Sequence, residues 1–96
     1  MKGGWVYIMA DQYRGTLYIG VTADIGARVW AHREGRGSAF CKRYELNRLV
    51  YAEQAPTIEE AIAREKAMKK WRRAWKIELI ESANPDWDDL FKTINA

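Results

Sequence analysis

Two short segments constrain this fold more than any other feature. Residues 5–10, Trp-Val-Tyr-Ile-Met-Ala, and residues 16–21, Thr-Leu-Tyr-Ile-Gly-Val, are rich in strand formers. The stretch between them, Asp11-Gln12-Tyr13-Arg14-Gly15, ends in glycine and reads as a turn. Together they predict an antiparallel hairpin. Its register follows from the alternation. Val6, Ile8 and Ala10 share one face, as do Leu17, Ile19 and Val21. Placing these six on the core side pairs even positions with odd ones, because a one-residue slip buries the wrong set. The other face then collects Trp5, Tyr7, Met9, Thr16, Tyr18 and Gly20, so Tyr7 and Tyr18 share a face and could sit directly opposite each other. Either a helix covers these tyrosines or they line a cleft.

Downstream, Asp24 is a candidate N-cap for a helix from about Ile25 to Glu34, ended by Gly35 and Gly37. Arg28 and His32 stand one turn apart on it. Residues 35–45 read as an irregular basic loop, and residues 48–53 as a third strand. Thr57 with Glu60 forms a capping box for a helix reaching about Trp71. A last helix, about Arg73 to Ser82, ends before Asn84-Pro85. The tail is expected to pack Trp87, Leu90 and Phe91 on the body. The class is α+β: a three-stranded antiparallel sheet flanked by helices, in the order β-β-α-β-α-α.

At 96 residues the chain suits one domain, 1–96, with a single core. A hydrophobic content of 48% against 30% charged residues excludes a disordered chain. No apolar run approaches the roughly 20 residues of a membrane span. The N-terminus enters a strand pattern with no secretory signal, and the one cysteine, Cys41, has no partner for an internal disulfide. The expectation is a cytoplasmic protein. Net charge is +3, unevenly spread. Residues 28–76 hold 13 Lys+Arg against 6 Asp+Glu, a local +7, and the remainder carries −4. A basic middle is the footprint of a polyanion binder, although a solvated basic face has the same composition.

The oddest residue is Glu65. The apolar stripe Ile58, Ala61, Ile62, Met68 runs at helical spacing, and Glu65 falls near its centre. A carboxylate there is either paired, with Arg28 or another base, or a metal ligand. One carboxylate with few other protein oxygens suits a single Mg²⁺ or Mn²⁺, which keeps waters and takes phosphate oxygens from a substrate.

On these residues the chain resembles the GIY-YIG endonuclease superfamily, specifically its small, single-domain bacterial, UPF0213-like members. The second half-motif is present as Tyr18-Ile19-Gly20, and Trp5-Val6-Tyr7 keeps the tyrosine of the first. Residues 18–32 look like the family's strand-to-helix segment, with Arg28 and His32 in place. Residues 61–66 look like the helix carrying its metal-binding glutamate, Glu65, and Asn84 matches a late asparagine. Val21 stands where some members have lysine, and the separate DNA-recognition domains of larger relatives have no counterpart in this sequence.

The resemblance implies metal-dependent hydrolysis of DNA phosphodiesters, directed by structure rather than sequence, in repair, recombination or processing. The implied catalytic residues are Tyr7, Tyr18, Arg28, His32 and Glu65, with Glu65 holding the metal. Arg28 binds the scissile phosphate and a tyrosine, Tyr7 or Tyr18, activates water. His32 either assists that tyrosine or accepts its proton. The nucleic-acid-binding set is Arg28, Lys42, Arg43, Lys69, Lys70, Arg73 and Asn84; Asn84 alternatively positions the tail. Trp71 and Trp75, amid these cations, read as core rather than as base-stacking groups. DNA is the expected partner, with no membrane association and no obligate protein partner. The alternative is a binding module that retains the fold without catalysis.

Overall fold

A computed structural model describes residues 3–94. Three strands form one antiparallel sheet: β1 (Gly4–Ala10), β2 (Leu17–Thr22) and β3 (Arg48–Ala55), in the spatial order β2-β1-β3. Between β2 and β3 lie α1 (Ile25–Arg33) and α2 (Ala39–Tyr44). After β3 come α3 (Ile58–Lys69), α4 (Arg73–Ala83) and the short α5 (Phe91–Ile94). The expected α+β architecture and element order hold, with α2 and α5 as additions.

The hairpin pairs Val6 with Val21, Ile8 with Ile19 and Ala10 with Leu17, the expected even-to-odd register. Tyr7 lies opposite Gly20 and Tyr18 opposite Met9. The tyrosines therefore share a face, as expected, but as diagonal neighbours rather than a directly facing pair. The central strand, β1, is buried on both faces, because helices cover both. Val6, Ile8, Ala10 and Ile19 pack with Val50, Ala61, Met68, Ile80 and Trp87, which brings α3, α4 and the tail to one side. Tyr7 and Met9 pack with Ile25, Val29, Cys41, Leu46 and Leu49, which brings α1 and α2 to the other. The helix that the tyrosine face required is α1.

Local chemistry sets the helix starts. The Asp24 carboxylate accepts from the Ala27 N–H, and the Thr57 hydroxyl from the Glu60 N–H. The segment read as a basic loop contains α2 because Ser38 caps it, accepting from the N–H groups of Phe40 and Cys41. That serine was the available signal.

The tail closes the exposed edge of the sheet. Pairing shifts between Ile8 and Met9, a bulge that leaves Val50 without a partner on β1. The Asn84 amide donates to the Val50 carbonyl at 3.0 Å and to the Asp88 carbonyl at 2.9 Å, and its oxygen accepts from the Asp88 N–H. Asp89 accepts from the Leu49 N–H, and the Leu90 N–H donates to the Leu49 carbonyl. These bonds occupy backbone groups that an open edge strand would present to other chains. Trp87 is fully buried and Leu90 and Phe91 pack on the body, as expected. Trp75 is not: it is half-exposed, and Trp71 alone of that pair packs against the core.

Candidate active site

Tyr7 sits at the middle of β1, on the face that α1 covers, and is fully buried. The residue opposite is Gly20, and the pairing needs a glycine. A Cβ at that position would lie 2.4 Å from both Cζ and Oη of Tyr7. The tyrosine ring therefore occupies the space a side chain on β2 would take.

Arg28 and His32 project from successive turns of α1 onto the Tyr7 hydroxyl. Arg28 Nε donates to Oη at 3.2 Å, and His32 Nε2 lies 2.9 Å from it. Tyr18 closes the group: its ring centroid is 6.3 Å from that of Tyr7 and 5.7 Å from that of His32. The structure thus brings together four of the five expected catalytic residues.

His32 is held from behind. The loop before α2 passes so close that a Cβ on Gly37 would meet Nδ1 at 2.4 Å. The Ser38 N–H donates to Nδ1 at 3.4 Å. A backbone N–H donates only to an unprotonated ring nitrogen, so the neutral tautomer satisfying both contacts carries its proton on Nε2. His32 then donates to Tyr7 Oη rather than accepting from it. Of the two roles expected for His32, this hydrogen bonding fits assistance and not proton acceptance.

Burial lowers the His32 pKa from 6.5 to about 4, aided by the nearby Arg28 charge, so the imidazole is neutral at pH 7. Burial also pushes the Tyr7 phenol up to about 12, against the hydrogen bond and charge of Arg28. Arg28 itself is held more firmly protonated, chiefly by its bond to Tyr7 and also by Tyr18. Two donors thus converge on a phenol oxygen that burial keeps protonated in the free protein.

Glu65 stands apart. It lies on α3, which packs on β1 and β2 from the opposite face of the sheet through Ala61 and Met68. Its side chain is 14% exposed and forms an ion pair with Lys69 at 3.1 Å, not with Arg28. Ile62, expected on the same stripe, is 37% exposed. Among the described residues no three His, Cys, Asp or Glu side chains converge as a metal cage. One largely buried carboxylate with a half-exposed lysine partner fits an ion that draws its remaining ligands from water and a bound phosphate.

The other expected contacts divide. Lys42 and Arg43 are exposed on α2, and Lys69 and Lys70 are exposed where α3 ends. Arg73 donates to the Arg14 and Gly15 carbonyls at 2.6 Å each, tying the start of α4 to the hairpin turn. Asn84, expected among the nucleic-acid-binding residues, is buried with both amide hydrogens used inside the chain. Its fit is to the alternative role, positioning the tail. The sequence reading missed Gly37, Ser38 and Phe40, which α2 and its preceding loop carry to His32 and Tyr18.

Comparison with known proteins agrees with this geometry. The family model described as the GIY-YIG catalytic domain matches residues 3–78. UPF0213 proteins of Staphylococcus aureus strains Mu3, MW2 and USA300 are each 37% identical over 81 residues. Each alignment covers 84% of this chain and 98% of the relative. Comparison with solved structures gives no significant match. Among the described residues, no helix is long and apolar enough to cross a membrane.

Proposed function

This chain belongs to the GIY-YIG family of nuclease domains, and on that footing we propose a divalent-metal-dependent DNA endonuclease. The observation that carries the proposal is the Tyr7 hydroxyl held by Arg28 and His32 beside Tyr18.

Arg28 spends one of its five N–H donors on Tyr7 and has others for the scissile phosphate. Shared between phenol and phosphate, it fixes the phosphorus near the tyrosines. Once its own proton has passed to solvent, Tyr7 Oη takes the proton of the attacking water as a phenolate, and the two donors on that oxygen offset part of the burial penalty on the anion. Tyr18, half-buried at the mouth of the group, orients the water or phosphate. His32, neutral and proton-bearing on Nε2, holds the phenol in place. Glu65 would hold the Mg²⁺ or Mn²⁺, which supplies charge neutralisation at the phosphate and leaving oxygen. Lys42, Arg43, Lys69 and Lys70 bind flanking phosphates.

We assign the chain structured DNA substrates, arising in repair, recombination or processing. The single buried thiol, Cys41, suits a reducing cytoplasm.

The test is cleavage of labelled linear, single-stranded, nicked, flap and branched DNA with Mg²⁺, Mn²⁺ or EDTA, with Glu65→Ala alongside. Metal-dependent cutting that is lost in a folded Glu65→Ala variant supports the reading. Binding without cutting under every condition refutes it in favour of a non-catalytic module.

A further inference from the structure

The aromatic contacts of the site do not stop at Tyr18. The Phe40 ring stacks on Tyr18, with centroids 6.2 Å apart and planes 28° from parallel. Tyr44, one turn further along α2, lies 4.8 Å from Phe40. These two outer rings are 42% and 47% exposed. An unbroken path of rings therefore leads from His32, through Tyr18, to solvent.

The charge around the exposed rings is equally directed. The helix Ala39–Tyr44 contains Lys42 and Arg43, both exposed, and its one acidic neighbour on the C-terminal side is Glu45 at the cap. The Arg43 guanidinium lies 5.6 Å from the Tyr44 ring centroid. Exposed rings interleaved with cations bind single-stranded nucleic acid well: cations track the backbone and every base presents a π-face. A protein partner would need a larger apolar surface than two rings bordered by cations provide.

We infer that Phe40 and Tyr44 form a stacking platform for an unpaired nucleobase next to the scissile phosphate, making unpaired or junction DNA the preferred substrate. The inference rests on the phosphodiester-cleavage reading of the site and specifies its substrate. A base in continuous duplex is stacked on its neighbours and offers its faces to no platform. A base at a flap, nick or single strand offers one to Phe40, and the adjoining phosphate then lies towards Tyr18 and Arg28.

The decisive quantity is the ratio of kcat/KM on flap or single-stranded DNA to that on linear duplex, compared among wild type, Phe40→Ala, Phe40→Trp and Tyr44→Ala. Stacking on one aromatic predicts that Phe40→Ala lowers the ratio about 5- to 150-fold. Phe40→Trp restores it. Tyr44→Ala lowers it less, since that ring lies further from the site. A uniform fall on every substrate would show Phe40 merely supporting Tyr18, and an unchanged ratio would show that no base stacks there; both overturn the platform. Binding in EDTA to DNA with an unpaired 2-aminopurine separates this inference from the nuclease reading. Quenching in wild type and Phe40→Trp, lost in Phe40→Ala, upholds the platform even if no substrate is cut. Its absence in wild type sinks the platform even if cutting is found.

Discussion

His32 is the only histidine in the chain, so acid titration above the carboxylate range reports one group. In the fold its pKa is lowered to about 4 by burial and by Arg28, whereas the unfolded chain returns it to 6.5. The native state then refuses a proton that the unfolded state accepts between those values. Stability conferred by the neutral imidazole is fully present above pH 6.5 and is lost as pH falls towards 4. Linkage gives a loss of about 2 kcal/mol by pH 5 and about 3 kcal/mol by pH 4. Glu81 does not intrude. Its carboxyl is held down to about 2 by Arg14 and Trp87, so its contribution is lost only below pH 4.5. Urea unfolding of wild type and His32→Gln at several pH values between 7.5 and 5 measures the effect. Wild type should lose stability with a slope approaching 1.4 kcal/mol per pH unit near pH 5.5, and the variant should be nearly flat. Equal slopes in the two proteins, or an imidazole NMR titration midpoint near 6.5, would refute the buried, neutral histidine.

Other perturbations reach the same site from different sides. Gly20→Ala puts a methyl 2.4 Å from the Tyr7 ring, so that ring must move by about 1 Å; overpacking of about 1–3 kcal/mol and loss of cutting should follow, read by urea melts and cleavage. Tyr7→Phe should remove cutting while DNA affinity stays within a few-fold, and the rise of kcat/KM from pH 7 to 9 expected for a phenolate base should disappear. Arg28→Ala should lower cleavage by about 100-fold or more and weaken binding slightly; wild-type cleavage would remove it from the phosphate. Asn84→Ala should cost about 2–3 kcal/mol in urea unfolding without altering DNA affinity of the folded protein, since its amide joins Val50 to the tail.

The hairpin, α1 and the capped α3 were legible because each rests on a local rule: alternation, an Asp or Thr cap, a glycine stop. The register was legible to within one pair. Alternation specifies which residues share a face, but only the turn specifies which of them meet, and Tyr7 faces Gly20 rather than Tyr18. What stayed hidden depended on contacts between distant elements. A serine cap followed by only six residues carries little periodicity, so α2 disappeared into a basic loop. Trp75 shares the spacing of a buried stripe with Trp71, yet α4 rolls it to the surface. Nothing local marks Asn84 as the residue that satisfies a bulged carbonyl on β3.

The tyrosine proposed as catalytic is also a core residue. Tyr7 is a packing residue by every measure of burial, lying between Ile25, Val29 and Met9 in the second cluster. Its hydroxyl is nonetheless the point on which Arg28 and His32 converge. Seating a polar tip in a core demands partners, because an unpaired buried hydroxyl costs about 1–3 kcal/mol. The fold supplies two donors where one would satisfy the group. The second surrounds the phenol oxygen with N–H groups, which offset part of the burial that otherwise disfavours its anion. Glu65 follows the same logic with its charge reversed: a carboxylate mostly withdrawn from water, paired to a half-exposed lysine. Each group is stabilised enough for the chain to fold: Arg28 keeps further N–H donors that a phosphate can take up, and the Lys69 ammonium holds a place at Glu65 that a metal cation can take.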